Sequence, residues 1–231
     1  MKKLLFATLL VAGLCSALFA QDKTALDVSK IPATADKPEQ FAPAGWKVEE
    51  TVRGDLNGDG KPDYAIKLIE DKPKSADMEA DRARVLVLGF DDGGKIKRVA
   101  VADKLLQCTA CGGAFYGVMD APANVKIEKG VLIVNQDHGS RDVTETTYRF
   151  RYDEQPSMFI LIGFDYADHD RAEGGTRTES TNYLTGKRVT TVSKGKRDTT
   201  KTTIVEKMRY SITEIDAEDF EGKATHRLGL D

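Results

Sequence analysis

Asp55-Leu-Asn57-Gly-Asp59-Gly60-Lys61-Pro-Asp63 sets side-chain oxygens at positions 1, 3, 5 and 9 of one run, with Gly at position 6. That register suits a chain folding back around a single hard cation. Alternate side chains and one backbone carbonyl turn inward, and the glycine permits the sharp bend. Asp55, Asn57, Asp59 and Asp63 would supply side-chain oxygens and Lys61 its carbonyl, and the expected ligand is calcium. The same residue types also build metal-free turns, because Asp, Asn and Gly favour turns for backbone reasons alone. Four oxygen ligands in strict register exceed what a turn requires, so calcium is the preferred reading. An EF-hand is excluded, because position 12, which needs a bidentate acid, is Ile66.

Cys108 and Cys111 are the next pair able to do chemistry. Cys15 falls in an apolar leader, so these two remain after its removal, and in an oxidising compartment a disulfide is the default. Structural zinc usually takes four ligands; His138 and His169 could complete a set on paper, but no second Cys pair exists. A redox-active pair would want its first Cys at a helix N-terminus, whereas Gly112-Gly113 follow at once and break any helix. A loop staple is therefore expected. Asp137-His138-Gly-Ser140 holds the residue types of a catalytic triad, yet such groups must converge in space, and a polar turn between strands is the preferred reading. Asp165, Asp168, His169 and Asp170 form a second polar cluster, read as a solvated loop ahead of a weak metal site.

The N-terminus carries the compartment signal. Met1-Lys2-Lys3 precedes an apolar or small-residue stretch from Leu4 to Phe19, and Ala20-Gln21 offers a cleavage point, so residues 1–20 read as a signal peptide. A signal anchor is disfavoured by the short apolar run, and a lipoprotein at Cys15 by Leu14 before it. The expected mature protein is exported, periplasmic or secreted, with no later membrane span. Loss of Lys2 and Lys3 from the 34 Lys and Arg leaves a mild excess of the 37 Asp and Glu, which disfavours nucleic acid as a partner. Lys187-Arg188, Lys194, Lys196-Arg197 and Lys201 make one local basic segment, read as a solvated hairpin edge whose lysines block edge-to-edge pairing.

The elements that must position these residues are strands. Trp46–Val52 and Tyr64–Ile69 alternate on either side of the loop, predicting strand, loop, strand. Arg84–Phe90 and Lys95–Val101 flank an Asp-Asp-Gly-Gly turn, and Asn124–Glu128 and Val131–Val134 flank Lys129-Gly130. Val143–Tyr152, Met158–Phe164, Thr178–Val192 with a turn at Leu184-Thr-Gly186, and Thr199–Met208 complete the series. Helix is scarce, with Ala76–Arg84 the one short candidate. Residues 21–44, with Pro32, Pro38 and Pro43, read as an irregular lead-in, and residues 45–231 as a single β-rich domain. The fold class expected is mainly β: an antiparallel meander, a sandwich or an incomplete propeller-like sheet.

Gly54-Asp55-Leu-Asn57-Gly-Asp59-Gly60-Lys-Pro-Asp63 resembles the calcium loop of FG-GAP repeats, the integrin-alpha type, and of related VCBS-type repeats in secreted bacterial proteins. The resemblance implies a loop joining two strands around a structural calcium. No second copy occurs: Asp91-Asp-Gly93-Gly94 lacks the later ligands and Asp216-Ala-Glu-Asp219 lacks the Gly. The middle of the chain also resembles a group of uncharacterised bacterial envelope proteins. There a similar loop precedes a Cys-x-x-Cys-Gly-Gly segment, a Thr-Tyr-x-Phe-x-Tyr strand and a Leu-Thr-Gly-Lys turn. The function expected is a non-catalytic calcium-binding envelope module, whose partner is a protein or a glycan and whose oligomeric state is open. The alternative is a periplasmic enzyme, a hydrolase near His138 or a thiol oxidoreductase at Cys108 and Cys111.

Overall fold

A computed structural model describes residues 26–72 and 81–230. The signal peptide expected over residues 1–20 lies outside the described residues. So does most of the helix expected over Ala76–Arg84, whose described end is extended rather than helical. The described residues form β1 (Thr34–Ala35), β2 (Trp46–Gly54), β3 (Asp63–Glu70), β4 (Arg84–Asp92), β5 (Lys95–Ala102) and β6 (Ala123–Glu128). They continue through β7 (Val131–Gly139), β8 (Asp142–Asp153), β9 (Met158–Asp170), β10 (Thr176–Asn182), β11 (Lys187–Lys194) and β12 (Arg197–Ile204), and end on one helix, α1 (Ala217–Leu228).

The strands make two antiparallel sheets. The first runs β1-β5-β4-β3-β2, and the second runs β12 through β6 in unbroken sequence order. The chain is thus the mainly-β antiparallel fold its hairpin spacing predicts, built as two meanders. Local turn chemistry explains the second sheet's regularity. Lys129 and Gly130 both adopt positive φ, 51° and 77°, the backbone that a two-residue turn needs to match the twist of its flanking strands.

The first sheet is the middle layer of the molecule. Strand alternation sends Ala65, Leu86 and Leu88 to one side and Ile66, Leu68, Val85 and Val87 to the other. The former join Leu132, Val134, Tyr148, Phe150 and Phe164 of the second sheet in one core. The latter pack with Ile31, Ala35 and Phe41 in another. This two-sided cover is why β3 and β4 are buried almost along their whole length. The lead-in over residues 21–44 has three-residue and four-residue helical turns, as an irregular segment should, yet its described part is packed. Phe41 is fully buried, and Ala35 pairs with Ile96 at the sheet edge.

Helix α1 is a correction to the sequence reading, which gave this segment no helix. Asp216 caps its first turn by accepting from the Asp219 amide, Glu218 and Asp219 follow, and Gly229 ends it in the left-handed conformation. The helix closes the open end of the main core. Phe220 meets Phe164 at 5.7 Å and Tyr210 at 5.3 Å between ring centroids, both edge-on. Phe164 also sits 4.9 Å from Tyr148, so it joins both sheet and helix. Replacing it with Ala should cost about 3–5 kcal/mol, whereas Ile204→Ala, at a side chain 80% exposed, should change stability by less than about 0.5 kcal/mol. Urea denaturation of the two variants measures both.

Candidate functional site

β2 and β3 pair from Trp46↔Glu70 up to Gly54↔Asp63, so residues 55–62 form the loop of this hairpin. Its oxygens hold it shut. Asp55 accepts from the Gly58 amide at 2.7 Å and the Gly60 amide at 3.0 Å. Asn57 accepts from Asp59 at 2.8 Å, and Asp59 from Lys61 at 2.8 Å. Each acceptor thus binds an amide a few residues ahead and coils the chain inward. Leu56 alone turns away into the main core, 2% exposed, and so anchors the loop.

Asp63 differs from the rest because it is fully buried. Its Oδ2 accepts from the Leu56 amide at 2.9 Å, and its Oδ1 from the Asp91 amide at 3.1 Å. One carboxylate therefore joins the loop, β3 and the end of β4. Burial raises its pKa, and the Leu56 and Asp91 amides only partly offset this; the neighbouring Asp59 charge raises it further. No Lys, Arg or His pairs with Asp55, Asp59 or Asp63 among the described residues. Arg53, at the end of β2, is engaged elsewhere: it donates to the Pro62 carbonyl at 2.9 Å and stacks over Tyr64 at 4.2 Å. The donor set is all hard oxygen, the type calcium takes. The three loop carboxylates do not close on one another to within 4.8 Å, and the trio that does among the described residues is Asp81, Cys108 and Cys111.

At the foot of the loop, β2 meets the second sheet. A Cβ at Gly54 would lie 2.6 Å from Ile127 Cγ2, so only glycine lets β2 come this close to β6. Beside that contact Glu50 and Val52 of β2 and Asn124, Lys126 and Glu128 of β6 line an open groove of about 470 Å³. Deeper in, buried Lys67 donates to the Ala123 carbonyl at 2.9 Å and pairs with Glu50 at 3.0 Å. Both edge strands meeting at the groove are held from below.

The other candidates fall in separate places. Cys108 and Cys111 are joined as a disulfide, with Cα atoms 5.1 Å apart. The segment it closes is an irregular turn, and one helical turn follows it at Gly113–Phe115. His138 and Ser140 do not pair: His138 Nε2 lies 2.7 Å from Glu221 of α1, while the Ser140 amide donates to the Asp142 carbonyl. Asp137 accepts from the Tyr116 hydroxyl at 2.6 Å. Sequence reasoning missed Glu221, because the helix that carries it was not anticipated. Asp165, Asp168, His169 and Asp170 are not a loop but the continuation of β9. Alternation divides them between opposite faces. Asp165 accepts from Ser180 at 2.6 Å and Arg149 at 2.5 Å, and Asp170 from Arg141 at 3.0 Å.

The His138–Glu221 pair ties α1 to β7 and carries a pH dependence. The hydrogen bond to Glu221 raises the His138 pKa against the opposing effect of burial, with help from the charges of Glu221 and Asp137. A raised folded-state value means that the contribution is complete below the unfolded value of about 6.5 and is lost as pH rises through the folded value. His138→Gln should lower the melting temperature at pH 5.5 and change it little at pH 8.5. Differential scanning calorimetry at the two pH values checks this.

Among the described residues, no helix is long and apolar enough to cross a membrane. Compared with protein-family models, curated proteins and solved structures, the chain matches none.

Proposed function

We propose that this chain is an exported, non-catalytic calcium-binding β-sandwich, in which the loop over residues 55–63 acts as an FG-GAP or VCBS-like calcium loop bracing a binding surface. The observation that carries this reading is the wholly buried Asp63 carboxylate, which has backbone amides but no cationic side chain beside it. A buried carboxylate of this kind is costly unless paired, and two further acids stand in the same loop. Asp55, Asn57 and Asp59 would hold the ion with Asp63 and the Lys61 carbonyl. Calcium would neutralise the acids and add bonds that the unfolded chain cannot make.

The rest of the reading follows from position. The loop lies where β2 approaches β6, beside the groove between those edge strands. A fixed loop therefore keeps two strand edges at a set spacing for a protein or glycan partner of the cell envelope. The leader at residues 1–20 would deliver the chain to a compartment where calcium is plentiful and the Cys108–Cys111 bridge persists. Catalysis near His138 is disfavoured, because its imidazole is held by Glu221 and turned to binding the helix.

Calcium binding to the folded state alone stabilises it by about 2.7 kcal/mol at a hundred times Kd. For a chain of this size that is a rise of roughly 5–10 °C in melting temperature. Asp59→Ala should abolish the rise. In chelator the same variant should lose less than about 1 kcal/mol, since Asp59 is exposed and holds only the Lys61 amide. Asp63→Ala should lose about 2–4 kcal/mol in chelator, because it strands the buried Leu56 amide and the half-buried Asp91 amide. Thermal melts in calcium and in chelator check all three; an equal rise in Asp59→Ala and wild type would contradict the calcium loop.

A further inference from the structure

The β11–β12 hairpin stands apart from the rest of the molecule in exposure and in charge. All of β12 except Thr203 is exposed, and no side chain of β11 is buried. Between Lys187 and Ile204 the chain carries six Lys and Arg against the single Asp198, in a protein of net charge −3. Pairing in the register Arg188↔Thr203, Thr190↔Lys201, Val192↔Thr199 and Lys194↔Arg197 puts Arg188, Lys194, Arg197 and Lys201 on one face. Arg188 is taken by Glu179, at 3.4 Å. Lys194, Lys196, Arg197 and Lys201 are exposed and have no ion-pair partner among the described residues.

Edge protection accounts for Arg197 and Lys201 on β12, the edge strand, but not for Lys194, which lies on β11, inside β12. Moreover, Lys194 sits directly across from Arg197, with Lys196 in the turn between them. Like charges directly opposed destabilise a strand pair, so the hairpin tip carries a local cost that a bound anion would relieve. Such departures from local consistency concentrate where a protein binds something.

We infer that this face of the β11–β12 hairpin is a docking surface for a linear anionic polysaccharide. Arg197 and Lys201 stand four residues apart on one face of β12, about 13 Å along the strand, and Lys194 flanks them on β11. A polyanion lying along the ribbon meets these charges in succession. Thr190, Thr199 and Thr203 share the face and supply hydroxyls that both donate to and accept from sugar hydroxyls. The chemistry favours a glycan over the other polyanions. The hairpin has no aromatic side chain on which nucleic-acid bases could stack. Its tip, Ser193 to Asp198, has no apolar side chain, and the exposed Val192 and Ile204 stand at separate places along the hairpin and make no apolar face to enter a lipid surface. The inference goes beyond the calcium loop and does not depend on it.

Titration of the protein with polygalacturonate in chelator, followed by calorimetry over a series of salt concentrations, tests the assignment apart from calcium. The wild type should bind with an affinity that falls steeply with salt, and neutral dextran should not bind. The triple variant Lys194→Gln, Arg197→Gln, Lys201→Gln should weaken binding at least tenfold and reduce the salt slope by about 2–3. A control triple at exposed sites of the first sheet's end, Lys37→Gln, Lys95→Gln, Lys97→Gln, should stay within twofold of wild type. Matching melting temperatures of the two triples exclude a folding effect. Absence of wild-type binding would overturn the inference, as would equal losses in the two triples. Preference for phosphatidylglycerol vesicles over polygalacturonate would overturn the choice of glycan.

Discussion

A carboxylate removed from water has to be met by donors or by a cation, and Asp63 is where this structure faces that requirement. Its two oxygens receive the Leu56 and Asp91 amides, so a single side chain fixes the loop closure, the start of β3 and the end of β4. Everything near the loop follows from that knot. Leu56 can enter the core because its amide is held at Asp63, and β2 can lie on β6 because position 54 has no side chain to keep it away. The same burial raises the energy of the charged carboxylate, with Asp59 close by. A loop shaped mainly by its own amides is thus left with uncompensated negative charge, and this imbalance is the physical basis for assigning it a cation.

The layered architecture gives the loop a firm base. The first sheet is covered on both sides, by the described part of the N-terminal segment and by the second sheet, so its central strands have little freedom to shift. The second sheet is bound to the first by an aromatic core that α1 completes. Polar ties reinforce the join: Arg84 donates to Glu49 at 2.9 Å and to the Ala121 carbonyl at 2.8 Å, which links the first sheet to the segment leading into β6. The hairpin of β11 and β12 extends beyond this core and contributes little to it. The molecule therefore separates into a braced body and an exposed basic ribbon, two regions under different physical constraints.

Much of this was legible in the sequence. Alternation of apolar and polar residues marked most strands, and Lys129-Gly130 and Leu184-Thr-Gly186 marked turns, because side-chain period and turn chemistry are local properties. The spacing of Asp55, Asn57, Asp59 and Asp63 marked the loop. What was not legible depends on distant partners. The polar end of β9 looked like a loop because the side chains that match Asp165 and Asp170 are distant in sequence: Arg149 on β8, Ser180 on β10 and Arg141 in the turn before β8. Helix α1 had its signals in Asp216, His226, Arg227 and Gly229, but its weak apolar stripe makes sense only against Phe164 and Tyr148. The cover that Ile31 and Phe41 give the first sheet was hidden by the prolines around them, which suggest irregular backbone but say nothing about burial.

On the proposed reading, Asp55, Asn57, Asp59, Lys61 and Asp63 together hold one calcium ion. Isothermal titration of the purified protein with calcium, beside an Asp55→Ala variant, tests it most directly. A single site per chain is expected in the wild type, with its loss in the variant, in which the fold is otherwise retained. No binding by the wild type, or the same stoichiometry and affinity in Asp55→Ala, would contradict it and leave residues 55–63 as a turn closed by its own amides.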